Sequence, residues 1–383
     1  MVAESFIARK LKFQGNLAAT AIAVSFFVII VAVAVSAGFR SAIREGVAAL
    51  SGDVRIEPYA SSVGADPTPM PAHLPSEDAV KALPGVVDIH PVALRAGIVK
   101  SGDIVHGVVV KGTARPDSTA LGVSIPHRLS EITGLGVGDD LVTYFVGEKV
   151  RVRKFKITEV HRDLIEVDDN LLVYARLEDI QRLNGWSADE VSCLDVSLSD
   201  RASRKEVSGL IGHILLNSDD SVESGLYISS SEDRYPQIFD WLGLLDMNVL
   251  VILILMTVVA GFNMVSGLLI MLLRKIPTIG TLKTLGMSNQ AVGKLFLRIG
   301  ARAVVKGMLW GNALALLFCL VQGTTHLIPL DPANYFVSWV PVKVNLLWIL
   351  GADAVAFAGI LALIWLPSRL VVGVDPAKTV KAD

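Results

Sequence analysis

Residues 17–39 read LAATAIAVSFFVIIVAVAVSAGF, without one Asp, Glu, Lys or Arg. About 20 consecutive apolar residues are what an α-helix needs to cross the hydrocarbon core of a bilayer. Three more runs of that kind follow, at residues 247–273, 303–322 and 345–366. The hydrophobic share of 52% is therefore concentrated in four segments rather than spread. Residues 40–244 have ordinary composition and are long enough for one or two soluble domains. The expectation is an α-helical membrane protein with four transmembrane helices and a large α+β domain inserted between helices 1 and 2.

The net charge of −2 conceals an asymmetry. Residues 40–244 hold 21 Lys+Arg against 31 Asp+Glu, whereas the rest of the chain holds 14 against 6. Arg9, Lys10 and Lys12 precede the first run, and residues 274–302 carry six basic side chains and no acidic one. Arg369, Lys378 and Lys381 follow the fourth run, while 323–344 has only Asp331 and Lys343. Basic flanks stay in the cytoplasm. Both termini and residues 274–302 are thus expected inside, with 40–244 and 323–344 outside. The first run is read as an uncleaved anchor, because its apolar core exceeds that of a signal peptide.

Residues 1–16 interleave Phe6, Ile7, Leu11 and Phe13 with the basic residues, the pattern of either an interfacial helix or a solvated leader. Beyond the first helix, Val54–Glu57 alternates as a strand, and the four prolines of 60–75 mark a loop. Ser76 is expected to cap a helix over 76–83. Short Val/Ile runs broken by Gly97 and Gly107 predict a meander over 86–111, and a β-rich subdomain is expected at about 118–190. Arg201–Leu216 is amphipathic. The second apolar segment, if helical from Asn248 to Leu273, would be about 39 Å long, so part of it should rise out of the membrane.

Residues 273–290 read LRKIPTIGTLKTLGMSNQ. Pro277 suits the first turn of a helix and Gly286 its end, with Ile279, Leu282 and Leu285 at three-residue steps. Such a short amphipathic helix, joining two spans at the cytoplasmic mouth, can either insert into a groove of an ATPase or lie on lipid headgroups. The string of Arg274, Lys275, Ile279, Gly280, Leu282, Lys283, Leu285, Gly286 and Met287 resembles the coupling region of FtsX/MacB-type ABC-transporter permeases. Ser5–Lys10, Gly38-Phe39-Arg40, Leu330–Phe336, Val340-Pro341-Val342, Leu366–Arg369 and Asp375-Pro376-Ala377 resemble the LolC/LolE lipoprotein-releasing branch.

The resemblance implies a permease that pairs with a second permease, the same or homologous, and binds two ABC ATP-binding subunits. ATP and Mg would sit on those subunits. The substrate would be a triacylated lipoprotein, handed toward a periplasmic carrier. The carrier-recruiting members have a proline-containing hairpin, but Tyr144–Arg153 has only a short turn at Gly147-Glu148 and no proline. The resemblance leaves two other functions open: MacB-like efflux, and FtsX-like mechanical control of a periplasmic cell-wall hydrolase. Lipid release calls for an apolar chamber, for which Phe26, Phe27, Met256, Phe262 and Met264 are the candidate walls; each is also an ordinary lipid-facing or packing residue.

No cofactor is expected on this chain, which has no phosphate-binding Gly-x-x-x-x-Gly-Lys-Ser/Thr loop: in the glycine-containing stretch 280–287, Met287 and not lysine follows Gly286. Neither a nucleophile elbow nor a His-Glu-x-x-His motif occurs, so the subunit is not expected to be an enzyme, nor is a nucleic-acid partner or a metal. Cys193 and Cys319 lie in different environments and offer no disulfide. Asp353, inside the fourth run, reads either as a proton site or as a hydrogen-bonded group at a helix contact. Arg298, Arg302 and Lys306 are read as snorkelling at the membrane boundary. Gly307 and Gly311 permit close helix packing, and Arg151, Arg153, Lys154 and Lys156 form a basic strand with a solvated face.

Overall fold

The computed structural model describes residues 16–59, 67–101, 104–114, 119–147, 150–161, 171–199, 202–218 and 220–370. The interfacial segment 1–16 lies almost wholly outside these residues, as does the tail motif at Asp375. Two compact units emerge. One comprises Met1–Ser41, Trp241–Leu330 and Trp339–Asp383, the other Ala42–Asp240 and Asp331–Ser338.

The first unit is helical. Helix α1 is Asn16–Ser51, and its residues up to Ser41 belong here. Among the described residues, four helices are long and apolar enough to cross a membrane, over Ala18–Ser51, Pro236–Arg274, Gln290–Thr325 and Leu346–Trp365. The apolar stretch of α1 packs Ile22, Phe26, Ile29 and Ile30 into one buried cluster. Met264 and Leu268, Ile299 and Val304, and Ile360 and Ile364 join it from the other three helices. Close approach rests on small residues. A methyl placed on Gly307 would lie 2.6 Å from Ile22 Cγ2, and one on Gly311 would lie 2.5 Å from the carbonyl oxygen of Ala23. Only glycine lets two helix backbones meet at that distance.

The second unit is α/β. Its elements, in chain order, are the end of α1, β1 (Val54–Pro58), β2 (Met70–Pro71), α2 (Glu77–Lys81), β3 (Val86–Ser101) and β4 (Ile104–Thr113). Then come β5 (Gly122–Pro126), α3 (His127–Thr133), β6 (Asp140–Phe145), β7 (Arg151–His161) and β8 (Leu171–Arg176). The remainder are α4 (Leu177–Asn184), β9 (Glu190–Val191), β10 (Cys193–Leu198), α5 (Arg204–Leu216), β11 (Leu226–Ser230) and α6 (Ser231–Arg234).

One nine-stranded sheet runs β11-β1-β10-β3-β4-β8-β5-β7-β6, and β6 pairs back on β3. That extra pairing, Ile98 opposite Tyr144 and Val99 opposite Thr143, closes six of the strands into a barrel. β3 makes this possible by its length: its first half pairs with β10 and its second with β4 and β6. Val99, Val110, Ile125, Leu141, Phe145 and Phe155 fill the barrel. The open part of the sheet has its own core, Val54, Ile56, Leu194 and Val196, with Ile211 and Leu215 of α5 packed on it. β4–β8 and β5–β7 are parallel and the other pairs antiparallel.

Two local expectations change. Ser76 stands before α2, but its side chain makes no cap bond to the helix. Its hydroxyl instead donates to Glu223 Oε2 (2.6 Å) and its backbone N–H to Glu223 Oε1 (2.8 Å). The amphipathic helix α5 starts at Arg204 and is capped by Ser203, whose hydroxyl accepts from the Glu206 N–H.

Candidate functional site

In the helical unit, α7 (Pro236–Arg274) is followed by α8 (Ile276–Thr284) and α9 (Asn289–Thr325). Pro277 stands in the first turn of α8, where its missing N–H removes no helical bond. Gly286, at φ 93°, ends the segment with its N–H donating to the Lys283 carbonyl (3.0 Å). A residue with a Cβ enters that left-handed region only with strain. Ser288 then caps α9, its hydroxyl accepting from the Ala291 N–H at 3.3 Å. This cap was readable from Ser288-Asn289-Gln290 but escaped the sequence reading.

Of the candidate coupling residues, Arg274, Lys275 and Gly286 are exposed, and Leu285 is 84% exposed. Gly280 is buried, Lys283 is half-buried, and Met287 packs on the helical core. Ile279 and Leu282 lie outside the described side chains. An exposed leucine at the end of a short basic helix leaves apolar surface for a partner or a lipid boundary.

A second cluster joins motifs far apart in sequence. Gly38 of α1 packs against residues 341–342: a methyl there would lie 2.3 Å from the Pro341 carbonyl oxygen. The backbone N–H of Lys343 donates to the Ala34 carbonyl (3.1 Å), and its ammonium to Ser41 Oγ (2.7 Å). Arg40 forms an ion pair with Asp246, which also accepts from Ser36 Oγ at 2.9 Å. Phe39 and Trp241 meet edge to face, 5.5 Å between centroids. The Gly38–Arg40 and Val340–Val342 stretches thus form one clasp over helices α1 and α7.

The five candidate chamber residues do not share one environment. Phe26 and Met264 are buried in the helical core, Phe27 and Met256 are packed against it, and Phe262 is 64% exposed. Phe27 makes an edge contact with Phe318, 6.0 Å between centroids.

The α/β unit contains a buried charge cluster that the sequence reading missed. Arg55 grips Asp195 with two bonds, Nε to Oδ1 at 2.7 Å and a terminal nitrogen to Oδ2 at 3.2 Å. The Lys111 ammonium donates to Asp195 Oδ2 (2.8 Å) and to the Leu50 carbonyl (2.9 Å). Arg234 donates to the carbonyls of Ser51 (2.7 Å) and Gly52 (2.9 Å). The Ala48 carbonyl accepts from the Gly52 N–H, and the Ala49 carbonyl from the Tyr174 hydroxyl. The last four carbonyls of α1, which have no partner within the helix, are therefore all taken up, two of them by cations suited to that end of the helix dipole. Nearby, Asp53 accepts from Arg204 Nε at 2.6 Å.

Burial alone would push the Asp195 carboxyl up, but Arg55 and Lys111 reverse this and hold it well below the usual carboxylate range. Burial likewise opposes charge on Arg55, and Asp195 more than offsets it. Cys193, buried beside them, has its thiol pushed up to about 12 by burial, which leaves it an inert packing residue. Arg151, Arg153, Lys154 and Lys156 lie along exposed β7, with Lys154 and Lys156 beside Asp140 at 2.9 and 3.8 Å. The turn at Gly147-Glu148 falls partly outside the described residues. Among the described residues, no group of three or more His, Cys, Asp or Glu is placed to hold a metal.

Two family models match the chain: a MacB-like periplasmic core domain over residues 17–214, more than half of the chain, and an FtsX-like permease C-terminal region over 250–376. A lipoprotein-releasing system transmembrane protein LolE, from Haemophilus influenzae, is 23% identical over 205 residues. That match covers 51% of this chain and 48% of the relative, so the chain spans about half the length of the curated relative it matches. Among solved structures, the periplasmic region of MacB from Actinobacillus actinomycetemcomitans aligns with TM-score 0.33 and 12% identity, over 51% of this chain and 95% of that one. A domain of a putative permease from Porphyromonas gingivalis aligns with TM-score 0.28 and 15% identity, over 46% and 88%. With a MacB-like core domain and an FtsX-like permease region in one polypeptide, the chain belongs to the FtsX/MacB superfamily of ABC-transporter permeases.

Proposed function

We propose that this chain is the membrane subunit of a transporter that extracts lipoproteins from a bacterial inner membrane for transfer toward the outer membrane. The observation that carries the reading is the α7–α8–α9 connection: a short basic helix, bounded by Pro277 and Gly286, linking two membrane-spanning helices in a permease-family region. Permeases of this family normally work with an ATP-binding subunit. In this reading two such subunits bind the permease pair, one on α8 of each permease, Leu285 and the flanking Arg274, Lys275 and Lys283 form the contact, and ATP with Mg binds on the partners. The six basic side chains of 274–302 support a cytoplasmic side for α8 and, with four spans, for both termini. The MacB-like domain between α1 and α7 would then be periplasmic.

The chain would dimerise with a second permease, the same or homologous, and a lipid anchor would enter between membrane helices. Lipoprotein as substrate rests on the LolE relative and on the clasp that joins Gly38 to Pro341. A second reading, MacB-like efflux or FtsX-like control of a cell-wall hydrolase, is favoured by the two family models themselves. Affinity purification of the tagged chain in mild detergent, with mass spectrometry of its companions, separates them. An ATP-binding subunit with triacylated lipoproteins is expected; an ATP-binding subunit with a cell-wall hydrolase and no lipoprotein would overturn the substrate assignment.

A further inference from the structure

Within the apolar helical unit, Asn312 of α9 donates its amide N–H to Asp353 Oδ2 of α11 (Leu346–Leu370) at 2.5 Å. Asp353 is only 6% exposed. The other two oxygens of the pair, Asn312 Oδ1 and Asp353 Oδ1, are both buried and have no hydrogen-bond partner among the described residues. An ionised carboxylate only accepts, and so does an amide oxygen, so these two atoms cannot satisfy one another. Each unsatisfied buried acceptor is unfavourable, and an isolated buried carboxylate is far more so.

Among the described residues, no charge nearby repairs this. Residues 17–39 and 247–273 contain no Asp, Glu, Lys or Arg, 345–366 only Asp353, and 303–322 only Lys306. Lys306 is exposed and stands six residues before Asn312, about 9 Å along the helix axis. Helix α7 also packs on α11, with Leu363 over Gly261 and Gly359 against Thr257. Its polar group there, the Thr257 hydroxyl, already donates to the Leu253 carbonyl within its own helix (2.7 Å).

We propose that Asp353 and Asn312 form a proton-holding site, a neutral carboxylic acid and an amide joined by two hydrogen bonds across the α9–α11 contact. One proton on Asp353 Oδ1 turns that oxygen into a donor, and Asn312 Oδ1, on the same amide plane, accepts it. Both orphaned atoms are then satisfied by a single ligand, and the pair carries no charge into the bilayer. Loss of the proton would leave a carboxylate facing an amide oxygen and would loosen the contact between the two helices. The site is independent of which substrate the permease moves.

Infrared difference spectroscopy of the full chain in lipid vesicles at neutral pH, wild type minus Asp353→Asn, tests it. The expected result is the carbonyl stretch of a protonated carboxylic acid, present in wild type and absent from the variant. Carboxylate stretching bands in its place would overturn the proposal. Should Asp353→Asn fail to fold, wild type minus Asn312→Val decides. A shift of the acid carbonyl is expected because both of its hydrogen bonds to the Asn312 amide are gone, and a difference spectrum without any acid carbonyl overturns the site.

Discussion

The ammonium of Lys111, on strand β4, lies 2.9 Å from the carbonyl oxygen of Leu50, in the last turn of helix α1. The same nitrogen touches Asp195, which Arg55 also grips, so a helix terminus, two cations and one carboxylate share a buried site. The two cations against one carboxylate leave a positive excess, which the carbonyl end of the helix offsets.

Removing Lys111 strands these acceptors. Lys111→Met should lower the unfolding free energy of the α/β unit by about 3–5 kcal/mol, the usual effect of breaking one side of a buried pair. Denaturant unfolding of the full chain in detergent, followed by tryptophan fluorescence, measures it. An effect below about 1 kcal/mol would mean that the cluster is not holding the helix end.

The same cluster sets an acid limit. Asp195 binds a proton less readily folded than unfolded, so the unfolded chain takes up more protons and stability rises with pH in that window. Its contribution should be complete above the ordinary aspartate value of about 4 and decline as pH falls below it. Asp195→Asn should lose this part of the pH slope, read from midpoints of denaturant unfolding between pH 6 and about pH 3. An unchanged slope would contradict the assignment.

Gly38 tests the clasp. Because an added methyl would sit 2.3 Å from the Pro341 oxygen, Gly38→Ala must displace backbone rather than a flexible side chain. A destabilisation of about 1–3 kcal/mol is expected. Gly212 of α5 has nothing within 4 Å of its would-be Cβ, so Gly212→Ala should instead be neutral or stabilising by up to about 1 kcal/mol. Thermal melts of the two variants should therefore move in opposite directions.

Leu285 tests the coupling contact. Leu285→Asp puts a charge on a residue already 84% exposed, so folding should be unaffected. If α8 docks on an ATP-binding subunit, affinity should fall tenfold or more, about 1.4 kcal/mol, in a titration of that subunit against the permease in nanodiscs. Unaltered affinity would place the docking surface elsewhere.

The four apolar helices were legible because a membrane span announces itself by length and apolar character alone. The break at Pro277 and the glycine stop at Gly286 are local signals too, each residue acting on its own backbone. The barrel was not legible, because its closure depends on Val99 meeting Thr143 across the fold. Nor was the charge cluster: Arg55, Lys111 and Asp195 come together from distant strands, and each alone looks like an ordinary surface charge. Ser76 shows the same limit, since a helix-cap residue and a ligand of Glu223 read alike until Glu223 is in place. The chamber candidates share only their residue type, and aromatic or methionine side chains on apolar helices do not declare whether they face a core or a lipid.

The most direct test of the proposed function uses the chain, with the ATP-binding subunit and second permease that the proposal gives it, in vesicles loaded with a triacylated lipoprotein. After ATP is added, the lipoprotein should move into the soluble fraction in the presence of an acceptor that shields its acyl chains. It should stay in the membrane when ATP is replaced by a non-hydrolysable analogue. ATP hydrolysis at full rate with all of the lipoprotein retained in the vesicles would contradict lipoprotein release.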